Sequence, residues 1–180
     1  MQQKGFTLVE LLIVIAILAI LSVALVLTLN PAELLKQSRD TRRISDLGTL
    51  NSAISLFLAD GQTWSGADHD CTGLGTTSMA GGGACAQNSS GTAVNGTGWI
   101  SINFTNMSTG APFSALPVDP TNVLPNYYVY RRTAGLSFEI DANMESTKFA
   151  SGGGTNDVES NIKDGGSNDT WYEVGNDVSL

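Results

Sequence analysis

The chain has 180 residues and a formal net charge of −8 at pH 7, and it is long enough for one membrane segment and one small globular domain. The acidic excess lies in residues 61–180, which hold twelve acidic side chains against four basic ones. Because an acidic domain repels phosphate groups, nucleic acid is disfavoured as its partner. The alternative is that the excess charge only keeps an exposed domain soluble.

The first thirty residues are dominated by an apolar run. No residue from Leu11 to Leu29 is charged, and a helix over this run would be about 28 Å long, close to the thickness of a bilayer core. An ordinary secretory signal is the weaker interpretation, because the run exceeds the usual apolar core of such a signal. Ser22-Val23-Ala24 has the small-x-small pattern of a cleavage site, but the chain stays apolar after it.

The residues Lys4-Gly5-Phe6-Thr7-Leu8-Val9-Glu10, followed by the apolar run, resemble the class III signal of type IV pilins and type II secretion pseudopilins. The resemblance implies that a prepilin peptidase cleaves after Gly5 and methylates the new amino terminus on Phe6. The apolar helix would then stay in the mature protein, first as an anchor and later in the filament core. The implied divisions are a leader at 1–5, a transmembrane and filament-core helix at 6–30, an amphipathic helix at 31–60 and an extracytoplasmic globular pilin-like domain at 61–180.

Glu10 places a carboxylate at the start of the apolar run, where transfer into a membrane is unfavourable. Cleavage would create a positive amine on Phe6, and residues at positions i and i+4 share a helix face. In a filament, Glu10 would instead pair with the Phe6 amine of a neighbour and set the register, since a mismatch leaves a buried charge unpaired at about 3–5 kcal/mol. The alternative is that Glu10 only complements the positive end of the helix dipole.

Asn30-Pro31 predicts a break in the long helix near residues 29–31, because proline lacks an amide donor and crowds the preceding turn. Lys36 to Arg43 is polar on all sides and is predicted to be exposed. An apolar stripe at three- and four-residue steps then predicts an amphipathic helix that ends near Asp60-Gly61 and faces a sheet with Ile44, Leu47, Leu50, Ile54, Phe57 and Leu58.

Four basic residues follow the apolar run closely: Lys36, Arg39, Arg42 and Arg43. The positive-inside rule alone would therefore place the rest of the chain in the cytoplasm. We prefer the opposite orientation, because the cleavage motif, the cysteine pair and the Gly/Ser-rich domain suit the outside. The arginines are expected on a solvated face or in ion pairs between subunits, and not on nucleic acid.

Residues 61–98 are rich in glycine and are predicted to form a long surface loop. Cys71 and Cys85 lie in this loop. Outside the cytoplasm they would form a disulfide, whereas in a reducing compartment they would stay free thiols.

Strand patterns follow the loop, at Trp99–Phe104, at the hairpin of Tyr127–Arg131 with Leu136–Ile140, and at Trp171–Val174. The predicted fold class is α+β, with the long N-terminal helix packed against a small antiparallel sheet of three to four strands. This arrangement also fits the type IV pilin fold that the N-terminal resemblance implies.

The C-terminal stretch Asp164-Gly165-Gly166-Ser167-Asn168-Asp169 gathers oxygen ligands on a flexible backbone, as calcium requires. Major pseudopilins carry a calcium site in a comparable loop, and this analogy names Asp164, Asn168 and Asp169 as candidate ligands. The alternative is a solvated loop without a metal.

The function implied by the resemblance is that of a structural subunit of a type IV pilus or pseudopilus, without catalysis. Its implied partners are further copies or other pilins, the prepilin peptidase, the pilus assembly machinery and the inner membrane. It would lie in that membrane before assembly and in a surface filament or a periplasmic pseudopilus afterwards. The alternative is an extracytoplasmic binding protein or enzyme tethered by the helix, but the sequence shows no catalytic constellation.

Overall fold

The computed structural model describes residues 5–72, 85, 87–88 and 91–180. Most of the predicted leader, residues 1–4, and the middle of the predicted loop at 61–98 lie outside the described residues. The chain divides into two compact units, of which one extends to Leu35 and the other comprises Lys36–Leu180.

Helix α1 (Leu8–Leu29) forms most of the first unit, and helix α2 (Pro31–Ala59) begins two residues after α1 ends. Between them Asn30 has a φ of 42°, in the left-handed region that asparagine tolerates better than most residues. Pro31 occupies the first position of α2, where its missing N–H would have no helical partner. The predicted break near residues 29–31 is confirmed.

The second unit contains the rest of α2 and a five-stranded sheet in the order β2-β1-β3-β4-β5. The two-residue strand β2 pairs in parallel with β1, and the other four strands form an antiparallel sheet. The predicted pilin-like α+β arrangement of a long N-terminal helix and a four-stranded antiparallel sheet is confirmed. The strands are β1 (Asp68–Cys71), β2 (Gln87–Asn88), β3 (Tyr128–Arg132), β4 (Phe138–Ala142) and β5 (Tyr172–Gly175), and a short helix α3 (Asn161–Asp164) precedes β5.

The main core lies between α2 and one face of the sheet. The helix stripe is largely buried as predicted, with Ile44 and Leu58 only partly covered, and α2 ends at Ala59 just before Gly61, whose φ is 77°. The stripe packs with alternate residues of the central strands, because successive side chains of a strand point to opposite faces. The members of this core from α2, β3 and β4 are Leu47, Leu50, Ala53, Ile54, Phe57, Tyr128, Tyr130, Phe138, Ile140 and Ala142.

Two of the three strand predictions are confirmed, since the hairpin corresponds to β3 and β4 and the last pattern to β5. The prediction of a strand at Trp99–Phe104 is wrong. Ile100, Ile102 and Phe104 are buried as the alternation suggests, but the segment forms only an isolated bridge at Asn103. The reason is that Ser101 donates its N–H to the Asp70 carboxylate at 3.0 Å, and not to a neighbouring strand.

Strand β1 lies within the stretch that the sequence predicted as loop. Its residues Asp68-His69-Asp70-Cys71 carry no apolar alternation, so the usual strand signal is missing. The strand forms because its backbone pairs with β3, with His69 opposite Arg131 and Cys71 opposite Val129.

Helix α2 buries two charged residues in the stretch that was predicted to be exposed. Asp40 and Arg43 are both fully covered, so the prediction for Lys36 to Arg43 is wrong at these positions. The sequence shows the charges of this stretch but not the carboxylates that meet them, because Asp119 lies 76 residues from Arg43 along the chain.

The Arg43 guanidinium joins α2 to two connections of the domain. Its Nε and Nη2 donate to the two oxygens of Asp119 at 2.6 and 2.9 Å, and its Nη1 donates to Asp40 at 2.7 Å. Its Nη2 also lies 2.6 Å from Glu145. Asp40 in turn accepts the backbone N–H groups of Glu145 and Ser146. The prediction of a solvated face or of ion pairs between subunits is therefore wrong for Arg43, which is buried and paired within the domain.

The carboxylates of this network are held in their charged form. Burial acts to raise the pKa of Asp119, but hydrogen bonds from Arg43 and from the N–H groups of Asn122 and Thr121 outweigh it and lower the pKa. The hydrogen bond from Arg39 lowers the pKa of Glu145. Because their pKa values are lowered, the Asp119 and Glu145 carboxylates are charged at neutral pH.

Arg43→Met is expected to lower the free energy of unfolding by about 3–5 kcal/mol, because it leaves buried carboxylates without their cation. Chemical denaturation of the full chain in detergent, followed by circular dichroism, measures the change. Arg42→Met is the matched control: the Arg42 side chain is 63% exposed and its pair with Asp46 is worth less than about 1 kcal/mol. Equal losses in the two variants would contradict the structural role of Arg43.

Candidate processing and assembly site

The residues on both sides of the predicted cleavage point are accessible. Gly5 and Phe6 precede α1 in a segment without secondary structure, and the Phe6 side chain is 81% exposed. No atom lies within 4 Å of a Cβ built on Gly5. The described residues beside the predicted cleavage point are therefore not covered by the rest of the chain.

Thr7 and Glu10 form a capping box at the start of α1. The Glu10 N–H donates to the Thr7 hydroxyl oxygen at 3.2 Å. Glu10 Oε2 accepts the Thr7 N–H at 2.9 Å and the Thr7 hydroxyl at 2.7 Å. These bonds satisfy donors that a helix start leaves without partners. Glu10 therefore has a local role in starting the helix.

The capping box changes the expected relation of Phe6 to Glu10. Helix α1 begins at Leu8, so Phe6 lies outside the helix, and the two residues do not share a helix face as the i, i+4 spacing suggested. The Glu10 carboxylate is instead directed towards Thr7, the residue that follows Phe6.

The apolar helix is uncovered along its length. Leu8–Val26 is long and apolar enough to cross a membrane, and none of it is buried. The hydroxyls of Ser22 and Thr28 donate to the backbone carbonyls of Leu18 and Ala24, four residues earlier, so they do not need water as a partner. Glu10 is the only charged residue in the sequence of α1.

Cys71 and Cys85 are joined by a disulfide, with their Cα atoms 5.7 Å apart. Cys71 is the last residue of β1 and is fully buried with Tyr127, Val129 and Trp171 on the face of the sheet opposite to α2. The bond links the end of β1 to a residue fourteen positions later in the chain.

The three residues predicted to bind calcium lie in and after α3, and each accepts hydrogen bonds from the protein. Asp164 accepts the N–H groups of Gly166 and Glu173. Asn168 accepts from Thr170, and Asp169 accepts the Asn161 N–H. These contacts shape the loop, and calcium binding by it stays a prediction.

A second carboxylate group lies nearby and was missed by the sequence analysis. Glu139, Asp141 and Glu173 are buried together, and one oxygen of each lies within 4.8 Å of the others. The sequence shows part of this group, because Glu139 and Asp141 alternate with apolar residues on β4 and so lie on one face. It does not show that Glu173 lies beside them, because that depends on the pairing of β4 with β5.

Comparison with known proteins identifies the N-terminal segment. Residues 1–26 match the family model described as the prokaryotic N-terminal methylation motif. The match confirms the class III prepilin signal of type IV pilins and pseudopilins at this end of the chain. No curated protein and no solved structure matches the chain.

The class of the N-terminal segment has consequences for processing and location. A prepilin signal implies cleavage by a prepilin peptidase and assembly with pilus machinery. The motif and the uncovered apolar helix also fit anchoring in a membrane.

Reduction of the Cys71–Cys85 disulfide is expected to lower the free energy of unfolding by about 3 kcal/mol, the value for a closed loop of this size. Thermal unfolding of the full chain in detergent, with and without dithiothreitol, measures the loss as a lower Tm. The double substitution Cys71→Ser with Cys85→Ser is the control, and its Tm should not respond to the reductant. A wild-type Tm that is the same in both conditions would contradict the expectation.

Proposed function

We propose that the mature chain is a structural subunit of a type IV pilus or pseudopilus filament and that it catalyses no reaction. The observation that carries this proposal is the methylation motif at residues 1–26, joined to an apolar helix long enough to cross a membrane. The apolar side chains of Leu8–Val26 are uncovered, so this segment needs a lipid bilayer or the helices of other subunits around it.

The sequence of events follows from the position of the cleavage point. The chain is inserted in the inner membrane by α1, with the Lys36–Leu180 unit outside, and the peptidase removes residues 1–5 and methylates Phe6. Copies of the chain, or this chain with other pilins, are then drawn into a filament by the assembly machinery. The filament is a surface pilus or a periplasmic pseudopilus.

Glu10 sets the register in this proposal. The amine created on Phe6 is a cation at the end of an apolar helix, and the Glu10 carboxylate of an adjacent subunit neutralises it. A subunit that stops at the wrong height leaves both charges in an apolar surrounding, which is strongly unfavourable. The charge pair thus favours one offset between adjacent subunits, whereas apolar helix contacts are favourable at many offsets.

Processing is expected to leave a mature chain that begins with N-methylated Phe6. Mass spectrometry of the chain purified from the membrane or from sheared filaments measures its amino terminus. Gly5→Val is expected to reduce the mature form at least tenfold, because a side chain at this point blocks close approach of the peptidase backbone. The described part of the chain has room for this side chain, so the variant should still fold.

A wild-type chain that begins with Met1, or that starts beyond residue 20, would contradict the proposal. In either case the methylation motif would not be used for processing.

Glu10→Gln is expected to reduce the filament yield at least tenfold while leaving the amount of membrane-inserted chain unchanged. Glutamine keeps the capping box with Thr7, because its carbonyl accepts the same hydrogen bonds, and it removes only the charge. Electron microscopy and immunoblotting of sheared surface material, or of pseudopili in cells that overproduce them, measure the yield. Glu33→Gln is the matched control, since it removes an equal charge from the first turn of α2.

Comparison with Glu10→Val separates the two roles of Glu10. If the glutamine variant assembles normally and only the valine variant fails, capping of the helix and not charge pairing is required. A protein that uses the helix only as a tether for binding or catalysis would tolerate both substitutions.

A further inference from the structure

The face of the sheet opposite to α2 carries a group of three buried carboxylates. Glu139 and Asp141 are on β4, and Glu173 on β5 is paired directly with Asp141. All three residues are at most 1% exposed. One oxygen from each lies within 4.8 Å of the other two.

The charges of this group are not balanced by its contacts in the described residues. Arg131 on β3 donates through Nη2 to Glu139 at 2.7 Å and to Asp141 at 3.1 Å. Among the salt bridges of the described chain, these are the ones that reach the three carboxylates. One guanidinium faces three acids, and burying unpaired charge is costly.

One carboxylate oxygen of the group accepts no hydrogen bond from the described residues. Glu139 Oε2 accepts the Leu180 N–H at 2.8 Å, and Glu173 Oε2 accepts the Asn168 N–H at 2.9 Å. Asp141 Oδ2 accepts from Arg131, whereas Asp141 Oδ1 is buried and has no donor in the described part of the chain. A buried carboxylate oxygen without a donor, in a residue grouped with two further carboxylates, is an arrangement that a cation would complete.

The loop before β5 fixes one of the three carboxylates. A Cβ on Gly166 would collide with the Glu173 carboxylate, so only glycine allows the loop to approach so closely. Asp164 accepts the Glu173 N–H, and the Asn168 N–H donates to the Glu173 side chain. Two of the residues that the sequence predicted as calcium ligands therefore hold Glu173 in place.

The chemistry of the donors selects the ion. All three side chains offer carboxylate oxygens, which hard cations prefer, and no nitrogen or sulfur ligand belongs to the group. One ion placed between the three oxygens could contact all of them, and calcium accepts irregular sets of carboxylate oxygens. Magnesium requires about 2.1 Å and a stricter octahedron.

We propose that Glu139, Asp141 and Glu173 form a calcium site on the face of the sheet opposite to α2. Calcium would offset the charge of the buried acids, link β4 to β5 and fasten the loop at 164–169 through Glu173.

The test uses the full chain in detergent, stripped of metal with EGTA and returned to CaCl2 at pH 7.5 and constant ionic strength. Thermal unfolding is expected to show a rise in Tm of about 3–6 °C at ten times the dissociation constant. Equilibrium dialysis with radioactive calcium is expected to show one ion per chain at this site.

Asp141→Asn is expected to reduce the calcium-dependent rise in Tm to less than about 1 °C. Asp177→Asn removes an equal charge from a half-buried residue outside the group and should respond like the wild type. Asp169→Asn should also respond like the wild type, which separates this site from one built by the loop residues. If Asp141→Asn does not fold, Glu173→Gln takes its place.

Three results would overturn the proposal. They are a wild-type chain that neither binds calcium nor changes its Tm, a response that survives Asp141→Asn and Glu173→Gln, and a response that Asp169→Asn abolishes. The first result would show that the carboxylates need no calcium. None of these results bears on cleavage after Gly5 or on filament assembly, so they leave the proposed function standing.

Discussion

The buried guanidinium of Arg43 is the contact on which the second unit depends. Apolar packing is not directional, and the stripe of α2 could meet the sheet at several angles and heights with similar burial. The planar guanidinium accepts few arrangements, because it must meet both oxygens of Asp119 and also Asp40 and Glu145. The apolar face thus gives α2 its affinity for the sheet, and the ion pairs determine its position.

The opposite face of the sheet obeys a different constraint. All five residues of β4 are buried, so this strand has neighbours on both faces and no side that faces water. On the α2 side these residues are apolar, whereas on the other side they are Glu139 and Asp141. The C-terminal residues cover this side, and Leu180 and Asn168 donate backbone N–H groups to the carboxylates below them. This face therefore combines a polar layer with the small apolar cluster of Cys71, Tyr127, Val129 and Trp171.

The sequence predicted the parts of the fold that depend on local pattern. The stripe in α2, the break at Asn30-Pro31 and the hairpin of β3 and β4 each have a period or a turn that can be recognised within some fifteen residues. Prediction from local pattern was wrong where a polar residue contacts a partner that is distant in the sequence. The pattern predicts Asp40 and Arg43 as exposed, because spacing alone cannot assign Asp119 to them. It predicts β1 as loop, because the stability of this strand comes from pairing with β3.

The N-terminal motif was predicted more completely than the fold, because it is contiguous in the sequence. The geometry around Glu10 was not predicted, since it depends on where α1 begins. A start at Leu8 makes Thr7 the cap and turns the carboxylate of Glu10 towards it.

The basic residues after the apolar run conflict, under the positive-inside rule, with an orientation that places the second unit outside. The conflict arises only if these residues are counted as charges without regard to their contacts. The rule applies to short loops, and long domains are translocated largely regardless of charge. The fold supplies an independent reason for two of these residues, because Arg43 and Arg39 each pair with a carboxylate of the domain. Their presence therefore reflects the requirements of the folded unit.

The capping role of Glu10 is compatible with its proposed role in setting the register, because a carboxylate offers more acceptor positions than Thr7 uses. An ionised carboxylate has about four lone-pair sites, and Thr7 donates two hydrogen bonds, both to Oε2. Acceptor capacity is left for an ammonium group of an adjacent subunit. The cap also fixes the side chain before the partner arrives, which reduces the entropy lost when the pair forms. A single carboxylate can thus begin the helix in the membrane and later mark the position of the next subunit.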